Sequence, residues 1–299
     1  MSNLALLLLC AILGYALSRA RKIPENTPTA LSGFIIWVSL PALSLSVLPS
    51  MRFERELLFP MVMPWLVFAG ALAVFSLLGR VWGWSRATVG ALVLTAGLGN
   101  TSFIGFPVIE ALHGRDGLAI AVLADQPGSF LILSTAGIAI AQFFAGSRVA
   151  PRALLTRIIA FPPFIAMLVS LTILRGVVLP ASLQSALERL ASTLVPLALF
   201  SVGARLRFGG KQIGARLRPL AAGVIYKLIL APAAILGLYW ALGARGLVLR
   251  VSVLEAAMAP MITAAVIAAE KGLDPELSDL MLVVGIPFSA LTLLAWIQI

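Results

Sequence analysis

Ten stretches of about 20 residues, largely apolar though interrupted by glycine and proline, and separated by short turns that carry most of the charge, limit this chain more than any motif in it. The hydrocarbon core of a bilayer, about 30 Å thick, is crossed by about 20 apolar residues in a helix, because each backbone N–H and C=O must find its partner inside the segment. The stretches cover 3–18, 29–48, 57–79, 88–112, 117–144, 153–174, 187–204, 219–241, 249–269 and 277–298. Charged residues make up 11% of the chain, against about 25% in an average soluble domain. An all-α membrane protein of ten transmembrane helices is expected. No basic residue precedes Leu4–Leu9, while Arg19, Arg21 and Lys22 follow the first stretch, so that stretch reads as a retained helix and not a signal peptide.

The 22 Lys and Arg outnumber the 12 Asp and Glu, giving a net charge of +10. These basic residues punctuate apolar stretches instead of forming a patch, so they point to membrane topology and not to a nucleic acid partner. With Arg157, Arg189 and Arg250, which lie at the beginnings of spans, counted with the loops before them, loops after odd-numbered spans hold 14 of them and loops after even-numbered spans 7. The richer set, led by Arg205, Arg207, Lys211, Arg216 and Arg218, is placed in the cytoplasm, with both termini outside the inner (cytoplasmic) membrane. One cysteine, Cys10, and one histidine, His113, exclude an intramolecular disulfide, a cysteine metal cluster and a multi-histidine metal site. No cofactor is expected.

A shift of 155 or 156 residues places Arg19 on Arg175, Pro24 on Pro180, Pro41 on Pro196 and Pro64 on Pro219. With the loops Gly114-Arg-Asp and Gly272-Leu-Asp also matched, residues 1–150 and 151–299 read as two five-helix repeats. Five is odd, so the second copy enters the membrane from the opposite side, an architecture common in secondary transporters. The alternative is ten unrelated helices with scattered prolines.

Span 4 contains Gly97-Leu-Gly-Asn-Thr-Ser-Phe-Ile-Gly-Phe-Pro107, in which three glycines and a proline weaken the helix near mid-membrane. Asn100, Thr101 and Ser102 offer polar groups at that interruption, followed by Gly105 and Pro107, and the next half-helix would present free N–H groups to an anion. A glycine-rich packing face with a proline kink is the other reading. In span 9, Glu255-Ala-Ala-Met-Ala-Pro260-Met-Ile-Thr263 occupies the equivalent place, and the same shift sets Glu255 opposite Asn100. Paired interruptions of this kind mark transporter binding sites. Helix breaks over Asn100–Pro107 and Glu255–Pro260, close together, are therefore expected.

The segments Gly-Asn-Thr-Ser-Phe-Ile-Gly-Phe-Pro107, Val122-Leu-Ala-Asp-Gln126 and Ala256-Ala-Met-Ala-Pro260 resemble the auxin efflux carrier family of bacteria, in its compact form without a long loop between spans 5 and 6. The resemblance extends over essentially the whole chain. It implies a fold similar to bile-acid transporters and sodium/proton antiporters, with spans 1, 2, 6 and 7 as a scaffold and spans 3–5 and 8–10 as a moving domain. It further implies a homodimer and small organic-anion substrates such as malate, malonate or auxin-like acids, bound where spans 4 and 9 cross. Asn100, Thr101, Ser102, Gly105, Pro107, Met258, Pro260 and Thr263 are then the substrate candidates, with Ser39 and Pro41 on the scaffold side.

Charges inside a membrane are functional candidates by default. At a rise of 1.5 Å per residue Asp125 lies about 12 Å along span 5, Glu255 about 9 Å along span 9 and Lys227 about 12 Å along span 8. Either carboxyl could bind and release a proton. Alternatively, Asn100, Thr101, Gln126 and Glu255 could ligate sodium through oxygen atoms. Lys227 has three readings: a partner for substrate or carboxylate, one half of a structural ion pair, or a side chain snorkelling to the inner surface. Glu110 and His113, near the end of span 4, read as interface residues. Without a Gly-x-x-x-x-Gly-Lys-Ser/Thr phosphate loop an ATPase is not expected, and with no recognisable nucleophile or metal set to accompany Asp125 and Glu255 neither is an intramembrane enzyme, so the chain is expected to be a secondary transporter. The alternative is a channel or sensor with the same helices.

Overall fold

The computed structural model describes residues 2–51, 54–147, 160–205 and 214–299. Regular structure among them is helical, with one isolated antiparallel bridge between Gly99 and Pro260. Six helical stretches are long and apolar enough to cross a membrane: Thr27–Val47, Arg55–Trp82, Thr101–Phe144, Ala181–Arg205, Leu217–Ala241 and Pro275–Trp296. Shorter apolar helices cover Leu9–Arg19, Arg86–Gly97 and Pro162–Thr172. Residues 153–159 of the sixth predicted span, with Arg207 and Lys211 of the basic loop, lie outside the described residues. Large apolar side chains such as Trp37, Val81, Trp240, Leu291 and Leu294 are exposed, as suits surfaces that face lipid.

Proline placement explains much of the local geometry. A proline in a helix lacks an N–H and crowds the carbonyl four residues back, and a wider π turn relieves both. Such turns occur at Ile35–Ser39 just before Pro41, at Asp125–Phe130 around Pro127 and at Tyr226–Leu230 just before Pro232. Pro64 and Pro287 lie within the continuous helices Leu58–Trp82 and Pro275–Trp296.

Several turns and helix starts of the first half recur at a near-constant spacing in the second. A 3₁₀ turn, Arg55–Leu57 or Gly214–Arg216, precedes a helix that begins at Leu58 or at Leu217, 159 residues on. Glycines with positive φ, Gly83 and Gly243, end these helical stretches, and the next helices begin at Arg86 and Gly246, 160 residues apart. Gly114 (φ 62°) and Gly272 (φ 71°) make the later turns, and Gly114 divides the long stretch Thr101–Phe144, which holds the second half of span 4 and all of span 5. This register differs from the 155-residue shift that fits the first two spans. It places Glu255 opposite Ala96 or Thr95 and not opposite Asn100, because four more residues separate Pro196 from Leu217 in sequence than separate Pro41 from Leu58.

The chain groups into two compact units. The first contains Met1–Arg55, Ser102–Val122 and Arg157–Arg207, and the second Glu56–Thr101, Leu123–Thr156 and Phe208–Ile299. In the first, helices Ser2–Arg19 and Leu194–Arg205 cross at backbone distance: a Cβ on Gly14 would lie 2.1 Å from the Phe200 carbonyl oxygen, and one on Gly203 would lie 2.0 Å from that of Ala11. Close glycine crossings replace the hydrophobic drive that helices lack inside lipid. In the second, Phe68, Phe75, Leu92, Leu94 and Met281 form part of one buried core. Tyr226 and Tyr239 there donate their hydroxyls at 2.6 Å to the carbonyls of Val67 and Phe59.

Candidate functional site

Two helices of the second unit end inside it. Arg86–Gly97 gives way to extended backbone at Leu98, and Gly246–Ala256 stops at a turn before Pro260, whose fixed φ and missing N–H cannot continue the helix. The two freed segments run antiparallel. Asn100 N–H donates to the Ala259 carbonyl at 2.8 Å, and Met261 N–H donates to the Leu98 carbonyl at 3.0 Å, closing the bridge between Gly99 and Pro260. Backbone groups that lose their helical partners thus find each other, which is how irregular backbone survives in a buried setting.

The breaks occupy Leu98–Asn100 and Ala257–Met261, shorter than and displaced from the expected Asn100–Pro107 and Glu255–Pro260. Residues Thr101–Gly105 form a π turn, and Pro107 is the second residue of helix Phe106–Ala124. The helical stretch Thr101–Phe144 runs unbroken through it, and the π turn just before it relieves the missing N–H and the crowding, as at Pro41 and Pro232. Glu255 remains helical.

Charged and polar side chains gather around the crossing. Thr101 donates its hydroxyl to Asp125 Oδ1 at 2.5 Å, and Asn100, Asp125 and Gln126 are all buried. Lys227 is 1% exposed, which excludes snorkelling, and its ammonium donates to the Ala256 carbonyl at 2.9 Å. Glu255 is fully buried, and neither of its carboxyl oxygens has a hydrogen-bond partner among the described residues. Its principal electrostatic neighbours are Asp125 and Lys227. Met258 is buried beside the crossing, whereas Thr263 is exposed on helix Ile262–Glu270.

Three residues of this site escape sequence reading. Gly99 makes room for the lysine, since a Cβ there would lie 2.8 Å from Lys227 Nζ. Gly285 lets its helix approach, with its Cβ position 2.7 Å from Pro260 Cδ. Ser252, one turn before Glu255, is fully buried with no hydrogen-bond partner for Oγ among the described residues. Spacing three residues from an intramembrane glutamate is the signal that would have flagged it.

The other expected site residues belong to the first unit. Ser39, at the end of the π turn before Pro41, shares a 2.8 Å hydrogen bond with Thr193. Ser102 and Gly105 lie in the π turn before Phe106, and Ser102 is partly exposed. A cavity of about 470 Å³ in this unit is lined by Ser46, Ser50, Arg115, Asp116 and Gln184 among others. Glu110 lines a smaller neighbouring cavity of about 190 Å³.

The family model described as "Membrane transport protein" matches residues 1–297. An uncharacterized transporter of Methanothermobacter thermautotrophicus is 28% identical over 97% of this chain and 94% of its own. An uncharacterized transporter of Methanocaldococcus jannaschii is 25% identical over 99% of this chain and 97% of its own. The likeness is thus of whole chain to whole chain. A match that runs nearly from end to end, over helices apolar enough to cross a bilayer, makes this chain a multi-pass membrane protein of the membrane transport protein family, the family of the auxin efflux carriers.

Proposed function

We propose that the chain is a secondary active transporter that moves small organic anions, carboxylates such as malate, malonate or auxin-like acids, by alternating access. The observation that carries this reading is the antiparallel crossing of two interrupted helices with Asp125, Lys227 and Glu255 buried around it. Ion pathways and substrate sites are where buried charges are retained in membrane proteins despite their cost. The crossing has two electrical ends. Helix Ile262–Glu270 starts there without a side-chain cap, so its first N–H groups suit a carboxylate, and helix Gly246–Ala256 ends there with carbonyls that suit a cation.

Substrate is held by Asn100, Thr101, Met258, Pro260 and Thr263, with Ser39, Pro41, Ser102, Gly105 and Pro107 as further lining. Asp125, Gln126, Lys227 and Glu255 couple movement to a proton or sodium gradient. Matching turns and helix starts in the two halves support two inverted five-helix repeats, and in this reading spans 1, 2, 6 and 7, which group in one unit together with Ser102–Val122 of spans 4 and 5, are the scaffold against which spans 3–5 and 8–10 move, elevator fashion. The transporter works as a homodimer in the inner membrane with both termini outside. Proteoliposomes loaded with the protein test this: uptake of a labelled dicarboxylate should saturate and should respond to an imposed pH or sodium gradient. Flux that never saturates would indicate a channel, and silence over a panel of organic acids would end the proposal.

A further inference from the structure

Lys227 runs its full stem inside the second unit, within the π turn Tyr226–Leu230. Its ammonium caps the Ala256 carbonyl, at the end of a helix where unpaired carbonyls and the negative end of the dipole coincide. The space it occupies is kept open by Gly99, whose absent Cβ would meet Nζ at 2.8 Å and the Glu255 carbonyl oxygen at 3.3 Å. No ion pair within 4.0 Å joins Lys227 to Glu255 among the described residues, so the lysine is not a direct stitch between two helices. Instead a positive charge is held against backbone carbonyls, with a buried carboxylate lacking hydrogen-bond donors nearby. Carbonyl and carboxylate oxygens are what a hard alkali cation selects, and a buried carboxylate needs a cation or a proton to persist.

We propose that the Lys227 ammonium is a tethered cation, standing at this position in place of a free alkali-metal ion. The transport cycle then takes no metal ion at Ala256 and Glu255, and removing the amine turns the position into a site for sodium or a related cation. The inference deepens the coupling assigned above, yet a stability measurement on purified protein tests it whether or not a transported acid has been found.

The experiment compares thermal melts in detergent, at equal ionic strength, in choline, lithium, sodium and potassium chloride. Wild-type protein should melt alike in all four. Lys227→Ala should melt lower in choline and regain several degrees in one alkali cation, or fold only in its presence. Lys227→Met, whose stem fills the same space, should gain nothing, and neither should Lys227→Ala combined with Glu255→Gln. A Lys227→Ala protein indifferent to every cation overturns the proposal, as does equal stabilisation of wild type and variant by sodium. If Lys227→Ala folds in no salt, the neutral pair Lys227→Met with Glu255→Gln decides: it should melt above either single variant, and simple addition of the two losses overturns the idea.

Discussion

Every buried polar side chain among the described residues of the first unit is a serine, whereas the second unit buries Asp125, Lys227 and Glu255 together with Asn100 and Gln126. The serines are locally satisfied: Ser44 donates to Leu40 O, Ser46 to Leu43 O, and Ser170 to Ala166 O and Ser44 O. They add little charge and allow close packing, in keeping with the bare glycine contacts between Ser2–Arg19 and Leu194–Arg205. Burying an ion costs several kcal/mol or so unless partners offset it, so the second unit gives up stability that its neighbour keeps. The difference separates a region selected for fit from one selected for chemistry.

The largest effect is expected where fit is tightest. Gly203→Val in the first unit places a branched Cβ on the Ala11 carbonyl, 2.0 Å away, and backbone cannot turn aside as a flexible side chain can. Loss of about 3 kcal/mol or more, seen as failure to elute as a folded species, is expected. Gly33→Ala, with open space around the new methyl group, should be silent. A normal melt for Gly203→Val would remove close packing as the basis of the first unit.

Next come the carboxylates, which the comparison treats as functional. Asp125→Asn keeps an oxygen for the Thr101 hydroxyl, so the melt should fall by only about 1 kcal/mol. Gradient-driven uptake should nevertheless disappear, while exchange of substrate between the two sides persists. Glu255→Gln removes a negative charge from beside a buried lysine and should cost more, about 3 kcal/mol or so. Wild-type uptake in both variants would show that these charges are structural and would erase the contrast between the units.

How the sequence relates to this site can be seen residue by residue. Pro260, Asn100 and the three buried charges were legible because each is expensive in an apolar span, and Pro41 and Pro127 because proline disturbs a helix wherever it falls. The length of the breaks was not legible. Pro107 looks like a breaker in sequence but sits within a helical stretch that begins at Thr101, because the π turn before it absorbs the disturbance. The spacing of helix starts, 159 or 160 residues, sets Glu255 opposite Ala96 or Thr95, four or five residues from the register that the prolines of the first spans suggest. Gly99 and Gly285 carry no chemistry of their own, and only a neighbour brought by the fold gives them meaning, whereas Ser252 is marked in sequence only by its spacing to Glu255.

A smaller effect separates side chain from backbone at the crossing. Asn100→Ala retains the main-chain bond to Ala259 O, so the crossing and the fold should survive. Affinity for the transported acid should fall about tenfold, the worth of one hydrogen bond to a charged ligand. Calorimetry with that acid measures it, and unchanged affinity would move the substrate away from Asn100.

The smallest effect is expected in the first unit, at its own ion pair. Arg115 meets Glu188 at 3.0 Å, but their side chains are 56% and 37% exposed, so water and salt screen the attraction and two long side chains lose freedom to hold it. Glu188 also accepts from Gln184, which holds it when the arginine is gone. Arg115→Ala should therefore leave the melting temperature unchanged at both low and high salt. A clear fall that grows as salt is removed would mean that the first unit, too, depends on charge, and the division between a region of fit and a region of chemistry would have to be redrawn around the cavity that Arg115 lines.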